Sequence, residues 1–120
     1  MKHPIPSPTG PALAPEEAAS LLRETEHLLL IDLRTDPDDL ADFALDRAVN
    51  IASSQLRDRI GALAPDLNRP IMIVCDTGAY SRAAVLVLHG LGYTGLYNGG
   101  SIYKLGEALG LHTSTSPENP

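Results

Sequence analysis

Short apolar runs alternate along this chain with longer segments in which apolar residues recur at helical spacing. Runs typical of buried strands occupy positions 28–32, 48–51, 71–75 and 96–97. Segments with helical spacing and helix-start or helix-stop residues occupy roughly 15–26, 37–43, 54–63, 81–88 and 101–109. This order of strands and helices predicts one α/β domain with a mainly parallel sheet flanked by helices.

Polar and glycine residues between these segments predict where the elements begin and end. Asp36 or Thr35 is placed to cap the short second helix, Ser54 the third and Ser81 the fourth. Glycines at 99 and 100 predict a turn that permits close packing, and Gly110 is expected to stop the last helix.

The ends of the chain differ in composition from its middle. Residues 1–14 are rich in proline and glycine, and residues 111–120 are polar and lack apolar periodicity. We therefore expect a flexible N-terminal tail at 1–14, a folded domain at 15–110 and a flexible C-terminal tail at 111–120.

Three of the predicted strands end in residues that carry chemistry. Asp32 and Arg34 lie at the end of the strand at 28–32, and Cys75 at the end of the strand at 71–75. Asn98 and the two glycines follow the strand at 96–97. In open α/β sheets, ligands bind outside the carboxyl ends of the strands, so these residues are expected to converge on one pocket. Asp32 and Arg34 have two possible roles, since they can pair with each other or position the loop beside them.

The segment after Cys75 has the features of a loop that activates a thiol. Asp76, Thr77, Gly78, Ala79 and Tyr80 connect the apolar strand directly to a helix. Backbone N–H groups and the positive end of a helix dipole favour a thiolate, and a glycine permits the tight turn that points those groups inward. Cys75 is therefore the candidate nucleophile, although a lone cysteine is often only a small buried apolar residue.

Composition excludes several classes of function. The chain has 120 residues, a net charge of −6 at pH 7 and no apolar run long enough to span a membrane. An acidic chain is not expected to bind nucleic acid, and one cysteine cannot complete the usual structural zinc sets, so neither a metal nor a cofactor is expected. The N-terminus lacks the apolar segment of a secretory signal, and we expect a cytoplasmic location without membrane contact.

At four places the sequence resembles the rhodanese-like domain family of single-domain sulfurtransferases. The matching segments, in the family's order, are Ile31-Asp32-Leu33-Arg34, Ala48-Val49-Asn50-Ile51, Cys75-x-x-Gly78-x-x-Ser81, and Leu91-Gly92-Tyr93 followed by Gly99-Gly100. The resemblance covers about residues 15–110. It implies a three-layer fold and a reaction in which Cys75 takes a sulfane sulfur from thiosulfate or a persulfide and passes it to a thiol or cyanide. A thiol acceptor in this scheme is a small molecule or a protein.

The same resemblance assigns roles to the residues around the cysteine. Asp76, Thr77, Gly78, Ala79, Tyr80, Ser81, Arg82 and Arg34 are the expected substrate-binding residues, and Asp32, Gly99 and Gly100 the expected structural support. Tyr80 departs from the family, which usually has arginine there. A cation that would attract thiosulfate is therefore missing, and the donor is left open.

Two alternatives remain beside an enzyme of this kind. One is a non-catalytic or sulfur-carrier module with the same fold that works with a protein partner. The more distant one is a phosphatase or arsenate reductase, whose Cys-x5-Arg loop needs a guanidinium to bind two phosphoryl oxygens. Here Ser81 occupies that position and Arg82 follows one residue later.

Overall fold

The computed structural model describes residues 5–8 and 10–111. Five helices and four strands alternate along these residues. Their order is α1 Pro15–Glu24, β1 Leu29–Asp32, α2 Pro37–Asp42, β2 Val49–Asn50, α3 Ser53–Leu63, β3 Ile71–Cys75, α4 Ala79–Gly90, β4 Leu96–Ser101 and α5 Ile102–Ala108. The predicted α/β class is confirmed.

The four strands form one parallel sheet in the order β2-β1-β3-β4. β3 lies between β1 and β4, and all five of its residues are buried. Its continuous apolar sequence follows from this position, because a central strand of a parallel sheet is covered on both faces. The carboxyl end of β3, which carries Cys75, therefore lies in the middle of the sheet edge.

Alternate residues of the strands contribute to two separate cores. On one face, Ile31, Ile73 and Cys75 pack with side chains of α3 and α4. On the other face, Leu30 and Met72 pack with side chains of α1 and α5. The result is a three-layer arrangement of helices, sheet and helices, as the sequence predicted.

Two of the predicted helix caps are wrong. The fourth helix begins at Ala79 rather than Ser81, because Gly78 takes the N-cap position with a left-handed backbone and accepts the first helical hydrogen bond from the amide of Arg82. The third helix begins at Ser53, since the carbonyl of Ala52 accepts the amide of Gln55, and Ser54 lies inside its first turn. The cap predicted at Asp36 is confirmed by the bond from the amide of Asp38 to its carboxylate.

The glycine pair at 99 and 100 is not a turn. Both residues lie inside β4, where the register with β3 shifts so that Asn98 pairs with Ile73 and Gly100 with Val74. Gly99 is the extra residue of this β-bulge. A Cβ on Gly99 would lie 2.7 Å from a methyl group of Val74, so the close packing expected of the pair does occur, within a strand.

The chain already contacts the sheet before α1 begins. The amide of Leu13 donates to the carbonyl of Asn98 over 2.9 Å. Most of the two predicted tails cannot be compared with the structure, because residues 1–4, 9 and 112–120 lie outside the described residues. Within the described part of the chain, no helix is both long and apolar enough to cross a membrane.

Candidate active site

Cys75 is the last residue of β3 and is buried. Its exposed fraction is 2%. The backbone amide of Gly78 donates a hydrogen bond to the sulfur over 3.0 Å, and the Ser81 hydroxyl lies 3.7 Å from it. A backbone donor at this distance stabilises negative charge on sulfur, and the start of α4 adds the positive end of a helix dipole on the same side. The Gly78 amide and the start of α4 are therefore the two groups that can stabilise a thiolate at Cys75.

The backbone of Gly78 makes this contact possible. Its φ is +97°, a conformation that residues with a side chain rarely adopt. A Cβ at this position would lie 3.2 Å from the Cα of Gly100, which itself has a φ of +75°. The two glycines therefore let the cysteine loop and the bulge of β4 approach backbone to backbone.

A buried hydrogen-bond network holds the cysteine loop against β4. The Ser81 hydroxyl lies 2.6 Å from Oδ1 of Asn98 and 3.0 Å from the carbonyl oxygen of Gly78. The amide of Gly100 also donates to Oδ1 of Asn98, over 2.9 Å, which identifies that atom as the oxygen. Ser81 thus joins α4 to β4 rather than capping the helix. Oδ1 of Asn98 accepts hydrogen bonds from the Ser81 hydroxyl and from the Gly100 amide.

Arg34 and Asp32 form a buried ion pair at the neighbouring strand end. Nη2 of Arg34 lies 2.8 Å from Oδ2 of Asp32, and the two side chains are 1% and 2% exposed. The amide of Arg34 also donates to Asp32, over 3.0 Å. Asn50 donates from its side chain to the carbonyls of both residues, so β2 holds the end of β1 in place.

All five N–H groups of the Arg34 guanidinium are engaged within the protein. Nε and one hydrogen of Nη2 bind the Asp32 carboxylate, and the other hydrogen of Nη2 binds the carbonyl of Phe43. Nη1 donates to the carbonyl of Asp39 and to the hydroxyl of Tyr103. Burial acts to lower the pKa of Arg34, but the hydrogen bonds that it donates to Asp32 and Tyr103 outweigh burial and raise the pKa, so the group remains charged.

A cavity of about 260 Å³ opens above Cys75. Its lining residues come from the end of β3, from the segments after β1 and β3, and from the first turns of α2, α3 and α4. They are Leu33, Arg34, Thr35, Asp36, Asp39, Ser53, Cys75, Asp76 and Tyr80. The structure thus places Arg34, Asp76 and Tyr80 around the same cavity as Cys75. The residues 98–100, which the strand-end argument also expected there, are not among those that line it.

The other expected substrate-binding residues lie elsewhere around the loop. Thr77 and Ala79 are exposed on it, and the Thr77 hydroxyl accepts the amide of Ala79 over 3.4 Å. Gly78 and Ser81 are buried below it. Arg82 is exposed on α4 and does not line the cavity.

Sequence reasoning missed the acidic side of the cavity. Asp36 and Asp39 lie at the start of α2 and line it together with Asp76. A usable signal was present, because α2 follows β1 and therefore begins at the same sheet edge as the cysteine loop. The sequence pattern identifies Asp36 only as a possible helix cap and assigns no role to Asp39.

Comparison with known proteins agrees with the fold. The family model for the rhodanese-like domain matches residues 14–104, and the chain belongs to this family. The thiosulfate sulfurtransferase PspE of Escherichia coli (strain K12) is 31% identical over 72 residues, which cover 60% of this chain and 68% of that protein.

Solved structures give the same result. A human single-domain sulfurtransferase superposes with a TM-score of 0.60 at 27% identity, covering 76% of this chain and 91% of its own. A thiosulfate sulfurtransferase from Pseudomonas aeruginosa superposes with a TM-score of 0.69 over 86% of this chain and 20% of its own; at 20% identity it supports the fold alone. The chain is thus a rhodanese-like domain related to sulfurtransferases.

Proposed function

We propose that this protein is a sulfurtransferase in which Cys75 carries the transferred sulfur as a persulfide. The observation that carries the proposal is the hydrogen bond of 3.0 Å from the Gly78 amide to the Cys75 sulfur, at the base of an open cavity. We assign the activity to the domain at 15–110, which includes both the cysteine loop and the bulged strand beside it.

The reaction takes place in two displacements at sulfur. The Cys75 thiolate attacks the outer sulfur of a sulfane donor, and the donor leaves with the electron pair of the broken S–S bond. The new outer sulfur occupies the cavity above Cys75. An acceptor thiolate or cyanide then attacks that sulfur and releases the Cys75 thiolate. The Gly78 amide stabilises this thiolate before the first step and after the second.

Intact-protein mass spectrometry tests the proposal directly, because Cys75 is the only cysteine in the chain. After incubation with a small organic persulfide or with thiosulfate, the protein should gain the mass of one sulfur atom. Addition of excess thiol should remove it, and Cys75→Ser should gain nothing. A wild-type protein that gains no sulfur from either donor would rule out the proposed chemistry. Sulfur that loads but does not pass to a thiol or cyanide would favour the carrier alternative.

The loop does not favour phosphatase chemistry. The sixth residue after Cys75 is Ser81, whose hydroxyl is directed to Asn98, and the neighbouring Arg82 is exposed. A phosphoryl group in the cavity would also face three aspartates. Phosphoryl transfer needs cationic donors at that place.

A further inference from the structure

The walls of the Cys75 cavity are acidic, and the positive charge among its lining residues is already neutralised. Asp36, Asp39 and Asp76 line the cavity, and Arg34 is its one cationic lining residue within the described part of the chain. The charge of Arg34 is balanced by Asp32, which lies below it. The three carboxylates that line this small cavity therefore have no unpaired positive charge among its lining residues to balance them.

Arg34 has no hydrogen-bond donor left for an anionic ligand. Its five N–H groups are bound to the Asp32 carboxylate, two backbone carbonyls and the Tyr103 hydroxyl. An anion could bind Arg34 only by displacing a buried partner, and breaking a buried hydrogen bond to a charged group is costly. The guanidinium thus supports the sheet edge and is not available to the cavity.

The three aspartates lie close enough to affect one another. Asp39 is half-buried, and its pKa is raised by the partial burial and then by the negative charges of Asp36 and Asp76, against a smaller opposite effect of Arg34. Mutual repulsion of this kind identifies a region of negative potential. A positively charged group in the cavity would relieve it, and an added anion would increase it.

We propose that the Cys75 cavity selects a small sulfane-sulfur donor that carries a positively charged amino group, the persulfide of an aminothiol, with Asp39 as the residue that determines this preference. The inference rests on the proposed sulfurtransferase function and specifies its donor. The Cys75 thiolate attacks the terminal sulfur of R–S–SH, a Cys75 Sγ–S bond forms, and the donor S–S bond breaks. The products are Cys75–S–SH and the aminothiolate RS⁻, so no oxidant or reductant is needed.

The test compares three donors that differ mainly in charge. They are the persulfides of cysteamine, 2-mercaptoethanol and 3-mercaptopropionate, which carry a positive, a neutral and a negative organic group. Loading of Cys75 is followed by quenching and intact-mass measurement at low ionic strength, on the full chain. We expect the second-order rate constant to be about tenfold higher for the cysteamine donor than for the mercaptopropionate donor, since one charge interaction in a partly solvated cavity has this magnitude.

Two variants on the same helix separate the effect of the cavity from the effect of net charge. Asp39→Asn should reduce the ratio of the two rate constants to about fivefold or less, since it removes one of three carboxylates. Because the ratio is taken within one variant, a general change in the reactivity of Cys75 cancels from it, and far-UV circular dichroism checks that the variant is folded. Asp38→Asn removes the same charge from an exposed residue outside the cavity lining and should leave the ratio as in the wild type.

The outcomes are distinguishable. A wild-type ratio near one, or a ratio that Asp39→Asn and Asp38→Asn lower equally, would overturn the donor assignment while leaving sulfur transfer through Cys75 in place. Failure of all three donors to load Cys75 would overturn the proposed function, and the donor assignment with it.

Discussion

The Ser81 hydroxyl donates a hydrogen bond to Oδ1 of Asn98 over 2.6 Å, and this contact joins the first turn of α4 to β4 beneath the cysteine loop. Both side chains are buried, and the same oxygen of Asn98 accepts the amide of Gly100. The position of the helix that follows Cys75 is therefore coupled to the bulge in the neighbouring strand.

A double-mutant cycle on this pair should reveal the coupling. Ser81→Ala removes one donor, and Asn98→Ala leaves the buried amide of Gly100 without its side-chain acceptor, at a cost of about 1–3 kcal/mol in the free energy of unfolding. We expect a coupling energy of about 1 kcal/mol from urea denaturation of the single and double variants. Strictly additive effects would mean that the hydrogen bond contributes little to the fold.

Alanine at position 78 should disturb the cysteine loop more than alanine at any other glycine position. Gly78→Ala introduces a side chain at a φ of +97° and places its Cβ 3.2 Å from the Cα of Gly100. The left-handed backbone alone costs about 1–2 kcal/mol. We expect this loss in the free energy of unfolding, together with a lower rate of Cys75 alkylation by iodoacetamide, as the amide of Gly78 moves away from the sulfur.

Gly61→Ala provides the matched control. Gly61 lies inside α3, and its added Cβ would meet no atom within 4 Å. Alanine is the better helix former, so this variant should be more stable by about 0.5–1 kcal/mol and alkylate at the wild-type rate. Equal destabilisation by the two substitutions would contradict a special role for the Gly78 backbone.

The sequence predicted the fold well where local and tertiary preferences agree. β3 is apolar throughout because it is covered on both faces, and its continuous run identified it as a strand. The glycine pair was misassigned because Gly-Gly is a turn signal in isolation. Only the neighbouring strand reveals its role, since Val74 and Met72 leave no room for a side chain at Gly99.

The candidate site was predicted only as far as the strand ends. Cys75 and Arg34 could be located from the rule that ligands bind at the carboxyl ends of parallel strands. Whether Arg34 is available to bind a ligand could not be predicted in this way. Its hydrogen-bond partners Phe43 and Tyr103 are 9 and 69 residues away in the chain. Hydrogen bonds over such separations depend on the tertiary fold, which local sequence patterns do not specify.

Removal of the Arg34 side-chain charge should destabilise the protein strongly. Arg34→Met leaves the Asp32 carboxylate buried without its ion-pair partner, and loss of one member of a buried pair costs about 3–5 kcal/mol. Urea denaturation should show this loss in the free energy of unfolding. Arg57→Met changes an exposed arginine on α3 and should have an effect within about 0.5 kcal/mol. A small effect of Arg34→Met would argue against a structural role for the pair.

Replacement of Asp39 should stabilise the protein at neutral pH. A carboxyl group whose pKa is raised in the folded state favours folding when protonated, so that contribution is present below the unfolded pKa of about 3.9 and is lost as pH rises through the folded value. Asp39→Asn removes the unfavourable charge and should have a higher Tm than Asp38→Asn at pH 7. The difference should largely disappear at about pH 3, where the Asp39 carboxyl group is protonated. A lower Tm for Asp39→Asn than for Asp38→Asn at pH 7 would contradict the raised pKa.

A new cation at position 80 should improve the use of thiosulfate. Tyr80 lines the cavity and is 70% exposed, so an arginine there can approach the donor without displacing buried groups. Thiosulfate is a dianion that must approach a thiolate among three aspartates, and one added positive charge lowers that repulsion. We expect Tyr80→Arg to raise kcat/KM for thiosulfate severalfold at low ionic strength, and less at high salt, where charges are screened beyond about 10 Å at 0.1 M. Tyr80→Gln removes the ring without adding charge and should leave the value near that of the wild type. An equal increase in both variants would show that the size of residue 80, rather than its charge, limits access of thiosulfate to Cys75.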